Sequence, residues 1–203
     1  MLEGFASGEL TLEERGARVG VRRLRGRFPY NKAAVLSDGG RTGRPRKEVV
    51  APRAFAYRVE RPDEDIHLLI GHSYDRPLAS RGAGTLDLED SDEALTFEAT
   101  ITEEMQGVSY VQDFLAAMRA GLIVGISPGF RIPPRRAVPV AEKVEPEDPA
   151  LGMALIRTIF QALLYEISLV TRPAYPEAQV EARQWETTAG GVTIPKRGAY
   201  RWR

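Results

Sequence analysis

The stretch LTFEATIT, residues 95–102, alternates apolar and polar side chains without interruption. Successive side chains of a strand point to opposite faces, so this period of two predicts a half-buried β-strand. Looser alternation over residues 10–30 predicts one or two further strands. Residues 48–50 predict a short strand, and residues 157–170 also have β character. The chain is therefore predicted to be mainly β.

Helical periodicity appears immediately after this strand. Apolar residues recur at spacings of three and four, which is typical of an amphipathic helix, namely at Val108, Val111, Leu115 and Met118. Gly121 supplies a C-terminal stop, so a helix is predicted over residues 108–120. A short strand over residues 122–126 is predicted to follow, with Ser127 at its end. Upstream, Pro52 is suited to the first position of a short helix.

Segments without periodicity divide the chain. Residues 38–45 are rich in glycine and predict a turn-rich loop. Residues 131–150 are proline-rich and charged, which predicts an exposed loop or a disordered insertion. We expect one domain over residues 1–185, and a flexible C-terminal tail over residues 186–203.

Composition excludes several classes of protein. The chain has 203 residues, 43% of them hydrophobic and 28% charged, with no apolar run of membrane-spanning length and no secretion-type N-terminus. The absence of cysteine excludes disulfides, thiolate metal sites and a cysteine nucleophile. A net charge of zero argues against nucleic-acid binding. Arginine-rich residues 15–27 and acidic residues 87–104 are either two solvated faces or include an interaction surface for an acidic partner.

The sequence GISPG, residues 125–129, matches the G-x-S-x-G pattern of the α/β-hydrolase nucleophile. Two facts oppose that assignment. The α/β-hydrolase order requires a histidine after the serine, and no histidine follows His72. The residue after the serine is Pro128, which has no N–H to donate to an oxyanion. If Ser127 is a nucleophile, it belongs to another kind of hydrolase.

A serine nucleophile needs a base, and the chain has two histidines, His67 and His72. They are five positions apart, so a regular strand would turn them to opposite faces. His72 lies where the apolar run breaks at Gly71, while His67 is better suited to packing or a structural hydrogen bond. Either histidine could still be purely structural. Glu166, within an apolar stretch, either faces solvent or serves to orient the imidazole.

Three segments in this order resemble the caudoviral prohead proteases, which mature the capsids of tailed phages. They are LLIGHSYD at residues 68–75 with PLA after it, AGLIVGISPGF at 120–130, and EISLVTRPAY at 166–175. The segment VVAPRAF at residues 49–55 also resembles that family, and the likeness covers about residues 20–180. The family is similar to the herpesvirus assemblins, which implies an α+β, mainly β fold with a small closed or nearly closed β-barrel flanked by helices.

The resemblance also implies a site. Ser127 would be the nucleophile, His72 the general base and Glu166 the orienting carboxylate. Assemblins stabilise the oxyanion through an arginine-bearing loop, which implies Arg172 or a nearby backbone N–H, with the N–H of Gly129 as an alternative. No cofactor or metal is implied.

The implied function is that of a serine endopeptidase inside an assembling procapsid in the host cytoplasm. Its substrates would be the scaffolding part of the major capsid protein and the protease itself, with self-cleavage in residues 131–150 or after Thr187. A homodimer is expected, with helix 108–120 as one candidate surface, and neither nucleic acid nor membrane is an expected partner.

Two alternatives belong to other classes. One is a non-catalytic scaffolding or head-assembly protein that keeps the protease fold. The other is a metal-dependent hydrolase using both histidines with Asp65 and Asp75, although these residues form no tight ligand motif.

Overall fold

A computed structural model describes residues 9–13, 22–41, 43–123 and 125–171. Within these ranges the chain forms twelve strands and three helices. The strands are β1 (Glu9–Glu13), β2 (Arg22–Pro29), β3 (Ala33–Ser37), β4 (Arg46–Val50), β5 (His67–Ile70), β6 (Ser73–Ser80), β7 (Leu86–Asp90), β8 (Ala94–Ile101), β9 (Gly125–Arg131), β10 (Glu142–Pro146), β11 (Leu155–Ile159) and β12 (Leu163–Val170). The helices are α1 (Ala56–Val59), α2 (Glu103–Gln106) and α3 (Ser109–Arg119).

The first sheet has the strand order β1-β2-β8-β7, with every neighbouring pair antiparallel. Its strand β8 is the one predicted over residues 95–102, and its apolar side chains are buried while the polar ones are partly exposed. On the polar face Glu98 accepts hydrogen bonds from Arg23 and Arg25 at 3.0 and 2.8 Å. The prediction from alternation is therefore confirmed. Val19 and Val21, which contributed to the prediction over residues 10–30, lie outside the described residues.

The second sheet has the order β10-β11-β4-β3 and contains the predicted strand at residues 48–50. It corrects the prediction for residues 131–150, because β10 lies in that segment and pairs antiparallel with β11. Every residue of β10 is exposed. The strand is therefore stabilised by backbone pairing at the sheet edge, and its sequence has no apolar alternation from which it could be predicted. Pro146 ends this edge strand, a position where the missing N–H costs no ladder bond.

The third sheet has the order β6-β5-β12-β9, and β12 runs parallel to β5 and antiparallel to β9. It packs against the first sheet: a Cβ added to Gly26 of β2 would lie 2.6 Å from Phe97 Cζ and 2.7 Å from Ile126 Cδ1 of β9. One continuous apolar core includes residues of both sheets. The third sheet is thus held against the core by one face, and the side chains of its other face point away from that core.

The prediction of a closed or nearly closed barrel is wrong. In the part of the chain that the structure describes, the strands form three separate four-stranded sheets that do not close on themselves. The broader prediction of an α+β, mainly β fold is confirmed. Strand alternation predicts which residues are buried, whereas closure depends on which strands pair at the sheet edges, and alternation carries no information about that.

The helix predicted over residues 108–120 is α3, and Gly121 follows it with φ of +70° as expected for a C-terminal stop. The apolar side of α3 packs into the core through Val111, Phe114, Leu115 and Met118. Its apolar stripe is therefore not a free dimerisation surface. The helix predicted to begin at Pro52 begins instead at Ala56, after a turn. No helix among the described residues is long and apolar enough to cross a membrane.

Candidate active site

The outer face of the third sheet carries the serine singled out in the sequence. Ile126 and Phe130 of β9 point into the core, so the residues between them, Ser127 and Gly129, project from the opposite face. The predicted strand end was wrong, because β9 runs from Gly125 to Arg131 and Ser127 is its third residue. Since Ser127 lies within a paired strand, its backbone is fixed by the sheet.

Strand β12 brings a second serine and a carboxylate to the same face. Ser168 is the register partner of Ser127, and Glu166 is the partner of Gly129. Residues directly opposite each other in an antiparallel pair have Cβ atoms about 4.5–5.5 Å apart. Ile167 between them is buried in the core. The alternation of β12 therefore assembles Ser127, Ser168 and Glu166 side by side.

A β-bulge adjusts β12 just before the carboxylate. Leu164 pairs with Phe130 and Glu166 with Gly129, so Tyr165 is an extra residue in the ladder. A bulge of this kind re-aims side chains, and here it sends both Tyr165 and Glu166 to the outer face. If alternation continued unbroken from Leu164 through Tyr165, Glu166 would share the core-facing side of Leu164.

His72 reaches this face from a tight hairpin. Strand β5 ends at Ile70 and β6 begins at Ser73, and the two turn residues, Gly71 and His72, have φ of +59° and +61°. Two residues with positive φ form a type I′ turn, which matches the twist of the flanking strands. Glycine adopts this conformation freely, but a histidine there carries a backbone cost of about 1–3 kcal/mol. The strain is offset in part by Ser168, whose Oγ accepts the His72 backbone N–H at 2.8 Å.

The imidazole and the carboxylate are joined directly. His72 Nδ1 lies 2.6 Å from Glu166 Oε1, and Ser168 Oγ donates to Glu166 Oε2 at 2.7 Å. Glu166 is only 4% exposed, so its carboxylate depends on these donors. An ionised carboxylate only accepts hydrogen bonds, which assigns the proton to Nδ1 and leaves the lone pair of a neutral imidazole on Nε2. The arrangement can orient a base.

Ser127 lies on the same sheet face as Glu166, but its side chain is not hydrogen-bonded to His72 or Glu166. Its side chain is 1% exposed, and its Oγ has no hydrogen-bond partner within the described residues, His72 included. A nucleophile and its base are often loosely placed without substrate and come together in the complex. The structure therefore brings all three predicted residues to one face, with the His72–Glu166 hydrogen bond formed and the Ser127–His72 bond unformed.

The predicted oxyanion donors are Gly129 and Arg172, and the structure describes the first of them. Gly129 lies two residues after Ser127 on the same strand face, and a Cβ at this position would overlap Glu166, lying 2.6 Å from Cδ and 2.8 Å from Cγ. Gly129 thus makes room for the Glu166 carboxylate, and this steric role is separate from any hydrogen bond that its N–H donates. Arg172 lies outside the described residues, and its role stays a prediction.

The two histidines do not point to opposite faces as predicted. The strand stops at Ile70, so the regular alternation assumed between them does not hold. His67 is the register partner of Glu166 in the parallel pair β5–β12 and projects from the same face. Its ring packs edge-on against Tyr74 at 5.7 Å, and Nε2 lies 3.5 Å from Asp65. Among the described residues, no three acidic or histidine side chains gather as a metal site would require.

Ser168 and Tyr165 are functional candidates that the sequence analysis did not identify. A signal for Ser168 existed, since it stands two residues after Glu166 and must share its face in a strand. Tyr165 had no such signal, because the bulge that re-aims it depends on pairing with a strand distant in sequence.

Comparison with known protein families identifies the family of this chain. The model of one protein family, described as the caudovirus prohead serine proteases, matches residues 35–190, well over half of the 203 residues. The chain belongs to this family. No curated protein and no solved structure matched the chain. The match covers the hairpin with His72, strand β9 and strand β12, and it confirms the family to which the motifs pointed.

Membership of this family identifies the general type of reaction, which is peptide-bond cleavage by a serine protease. The family consists of serine proteases of the phage prohead, so the chain is associated with capsid proteins and with capsid maturation.

Proposed function

We propose that this prohead protease cleaves peptide bonds with a Ser127–His72–Glu166 triad. The observation that supports this most strongly is the 2.6 Å contact between His72 Nδ1 and Glu166 Oε1 on the sheet face that also carries Ser127. Serine proteases require a nucleophile, a base and a group that orients the base. The three residue types and their common face meet that requirement.

In the proposed reaction, His72 Nε2 removes the proton from Ser127 Oγ as the oxygen attacks the carbonyl carbon of the substrate. Glu166 stabilises the imidazolium that forms, and Ser168 holds the second carboxylate oxygen. His72 then gives the proton to the leaving amine as the C–N bond breaks. Water, deprotonated by the same imidazole, hydrolyses the acyl-enzyme and restores Ser127.

The oxyanion requires donors other than the N–H after the nucleophile, since that residue is Pro128. We assign this role to Arg172 or a neighbouring backbone N–H, with the N–H of Gly129 as the alternative. Arg172→Ala would leave cleavage unchanged if the side chain had no part in it. In that case the backbone donors would remain as the candidates.

We further propose that the substrates are the scaffolding part of the major capsid protein and the protease itself. The loop before β10 is exposed at Arg135 and Arg136, which makes it accessible for self-cleavage. The site of action would be the procapsid in the host cytoplasm, with a homodimer as the working form. The dimer surface is not the apolar side of α3, because that side is buried in the core.

Co-expression with the major capsid protein tests this proposal. The mass of the capsid protein is measured after co-expression with the wild-type chain and with Ser127→Ala, and we expect the shortened form with the wild type alone. Ser91→Ala serves as the control, because Ser91 closes a turn in the first sheet, away from the site. Equal processing by wild type and Ser127→Ala would refute the triad. Absence of processing with both would favour the non-catalytic head-assembly alternative.

A further inference from the structure

The face that carries Ser127 continues to an exposed arginine. Arg131 is the last residue of β9 and stands four residues after Ser127. Residues separated by an even number share a strand face, so Arg131 projects from the same side at about 13 Å from Ser127. Within the described residues Arg131 makes no ion pair with a carboxylate. Its charge is therefore available to a ligand.

Tyr165, the bulged residue, provides a platform for this guanidinium. Arg131 Cζ lies 5.3 Å from the centre of the Tyr165 ring, and Arg58 Cζ lies 4.2 Å from the same ring. Arg58 is buried and already bonded, to Glu64 at 2.7 Å and to the carbonyl of Asp65 at 3.1 Å. Arg131 differs, because its contact with the ring uses none of its N–H groups, which can donate to a ligand.

Tyr74 links this platform to the site. It is 54% exposed and packs against His67. Partial burial, and next the negative charge of Glu166, raise the pKa of Tyr74, while Arg58 and Arg131 oppose the rise. The charges of Glu166 and Arg131 therefore both act on Tyr74, so it is near both groups. Its hydroxyl stays protonated near neutral pH and can donate a hydrogen bond.

We propose that Arg131, backed by Tyr165 and flanked by Tyr74, is a substrate subsite that binds an acidic side chain of the peptide being cleaved. The inference rests on the proposed function, since it takes Ser127 as the point of cleavage. A guanidinium with free N–H groups matches the two oxygens of a carboxylate. An extended peptide rises about 3.3 Å per residue, so the acidic residue lies about four residues from the cleaved bond.

The preference can be read from cleavage products. A peptide mixture prepared from a bacterial proteome is digested with the wild type, Arg131→Gln and Arg131→Glu, and mass spectrometry locates the cleaved bonds. The wild type should enrich Asp and Glu about tenfold at three to five residues on one side of the bond. Arg131→Gln should lose the enrichment, and Arg131→Glu should favour Lys and Arg there. Arg136→Gln, at an exposed arginine of the following turn, should retain the wild-type pattern.

A binding measurement separates this subsite from the catalytic proposal. In Ser127→Ala, NMR follows the tyrosine and arginine side-chain signals during titration with a decapeptide of Ala, Gly and Ser with one Glu, and with its Gln counterpart. Shifts of the Tyr74 and Tyr165 signals with the Glu peptide alone support the subsite, even if the wild type cleaves nothing. Cleavage without acidic preference, or equal shifts with both peptides, would overturn the subsite and leave the triad intact.

Discussion

Glu166 Oε1 lies 2.6 Å from His72 Nδ1, although the two residues are 94 positions apart in the chain. A parallel strand pair and a two-residue hairpin create this contact: β12 presents the carboxylate, and the turn after β5 places the imidazole over it. The contact gives the imidazole of His72 a defined tautomer, which is the one that the proposed base requires. Its consequences can be tested residue by residue.

Glu166→Gln keeps the size of the side chain and removes its charge. We expect kcat to fall by about 10²- to 10⁴-fold, because the amide neither stabilises the imidazolium nor fixes the correct tautomer. The measurement is single-turnover cleavage of the capsid protein, with thermal unfolding to verify the fold. A folded variant with wild-type kcat would remove Glu166 from the site.

Ser168→Ala tests a positioning residue. Ser168 Oγ accepts the His72 backbone N–H and donates to Glu166, so its loss should lower kcat by about tenfold and stability by about 1–3 kcal/mol. A merely structural serine would change stability alone. The pH profile of kcat/KM distinguishes the two, because a weakened Glu166 should move the profile of the His72 base. Ser168→Thr, which restores the hydroxyl, should recover part of the activity.

Gly129→Ala should inactivate the enzyme through Glu166. The added Cβ would overlap the carboxylate, which must leave its hydrogen bonds to His72 and Ser168. We expect at least a hundredfold loss of kcat. Gly107→Ala is the matched control, since its Cβ would meet only the carbonyl oxygen of Glu104 at 3.3 Å. Equal activity of the two variants would show that Gly129 does not shape the site.

The turn conformation of His72 gives a prediction about stability. His72→Gly and His72→Ala both remove the imidazole, but only glycine adopts φ of +61° without strain. We expect both variants to be inactive, with the glycine variant about 1 kcal/mol more stable in urea unfolding. If the alanine variant were equally stable, the backbone of this turn would not be strained.

Local pattern accounts for the parts of the fold that the sequence predicted. Strand β8 and helix α3 carry their periodicity within a few residues, so alternation and the spacing of Val111, Leu115 and Met118 were sufficient. Strand β10 could not be found in this way, because all its residues are exposed and it is defined by pairing with β11. Likewise the extent of β9 beyond Ser127 is set by its pairing with β12.

The site was predictable only in part for the same reason. The residue types and their order pointed to Ser127, His72 and Glu166, yet the face they share depends on the register between β9 and β12 and on the hairpin at Gly71. The bulge at Tyr165 shifts that register by one residue. No pattern within a single strand encodes it.

Asp90 gives a prediction for pH. It is buried and accepts a hydrogen bond from the Tyr30 hydroxyl. Burial raises the pKa of Asp90 from 3.8 to about 6, although the bond from Tyr30 and the charge of Arg53 counteract the rise. A carboxyl with a raised pKa contributes stability that is complete below pH 4 and is lost as pH rises through about 6.

Asp90→Asn removes this contribution. The free energy of unfolding of the variant, minus that of the wild type, should therefore increase by about 1–2 kcal/mol between pH 4 and pH 7, with solvent screening taken into account. Urea unfolding at several pH values measures the difference, with Asp63→Asn, at an exposed carboxylate, as the control. A constant difference across this range would contradict the assignment.

The most direct test of the central claim is covalent labelling of the nucleophile. The folded protein is treated with diisopropyl fluorophosphate, which phosphorylates activated serines, and the modified peptide is identified by mass spectrometry. We expect one adduct, on Ser127, that forms in the wild type and is nearly abolished in His72→Ala and Glu166→Gln. Labelling of Ser127 at the same rate in His72→Ala, or an adduct on another serine in protein that cleaves its substrate, would contradict the triad.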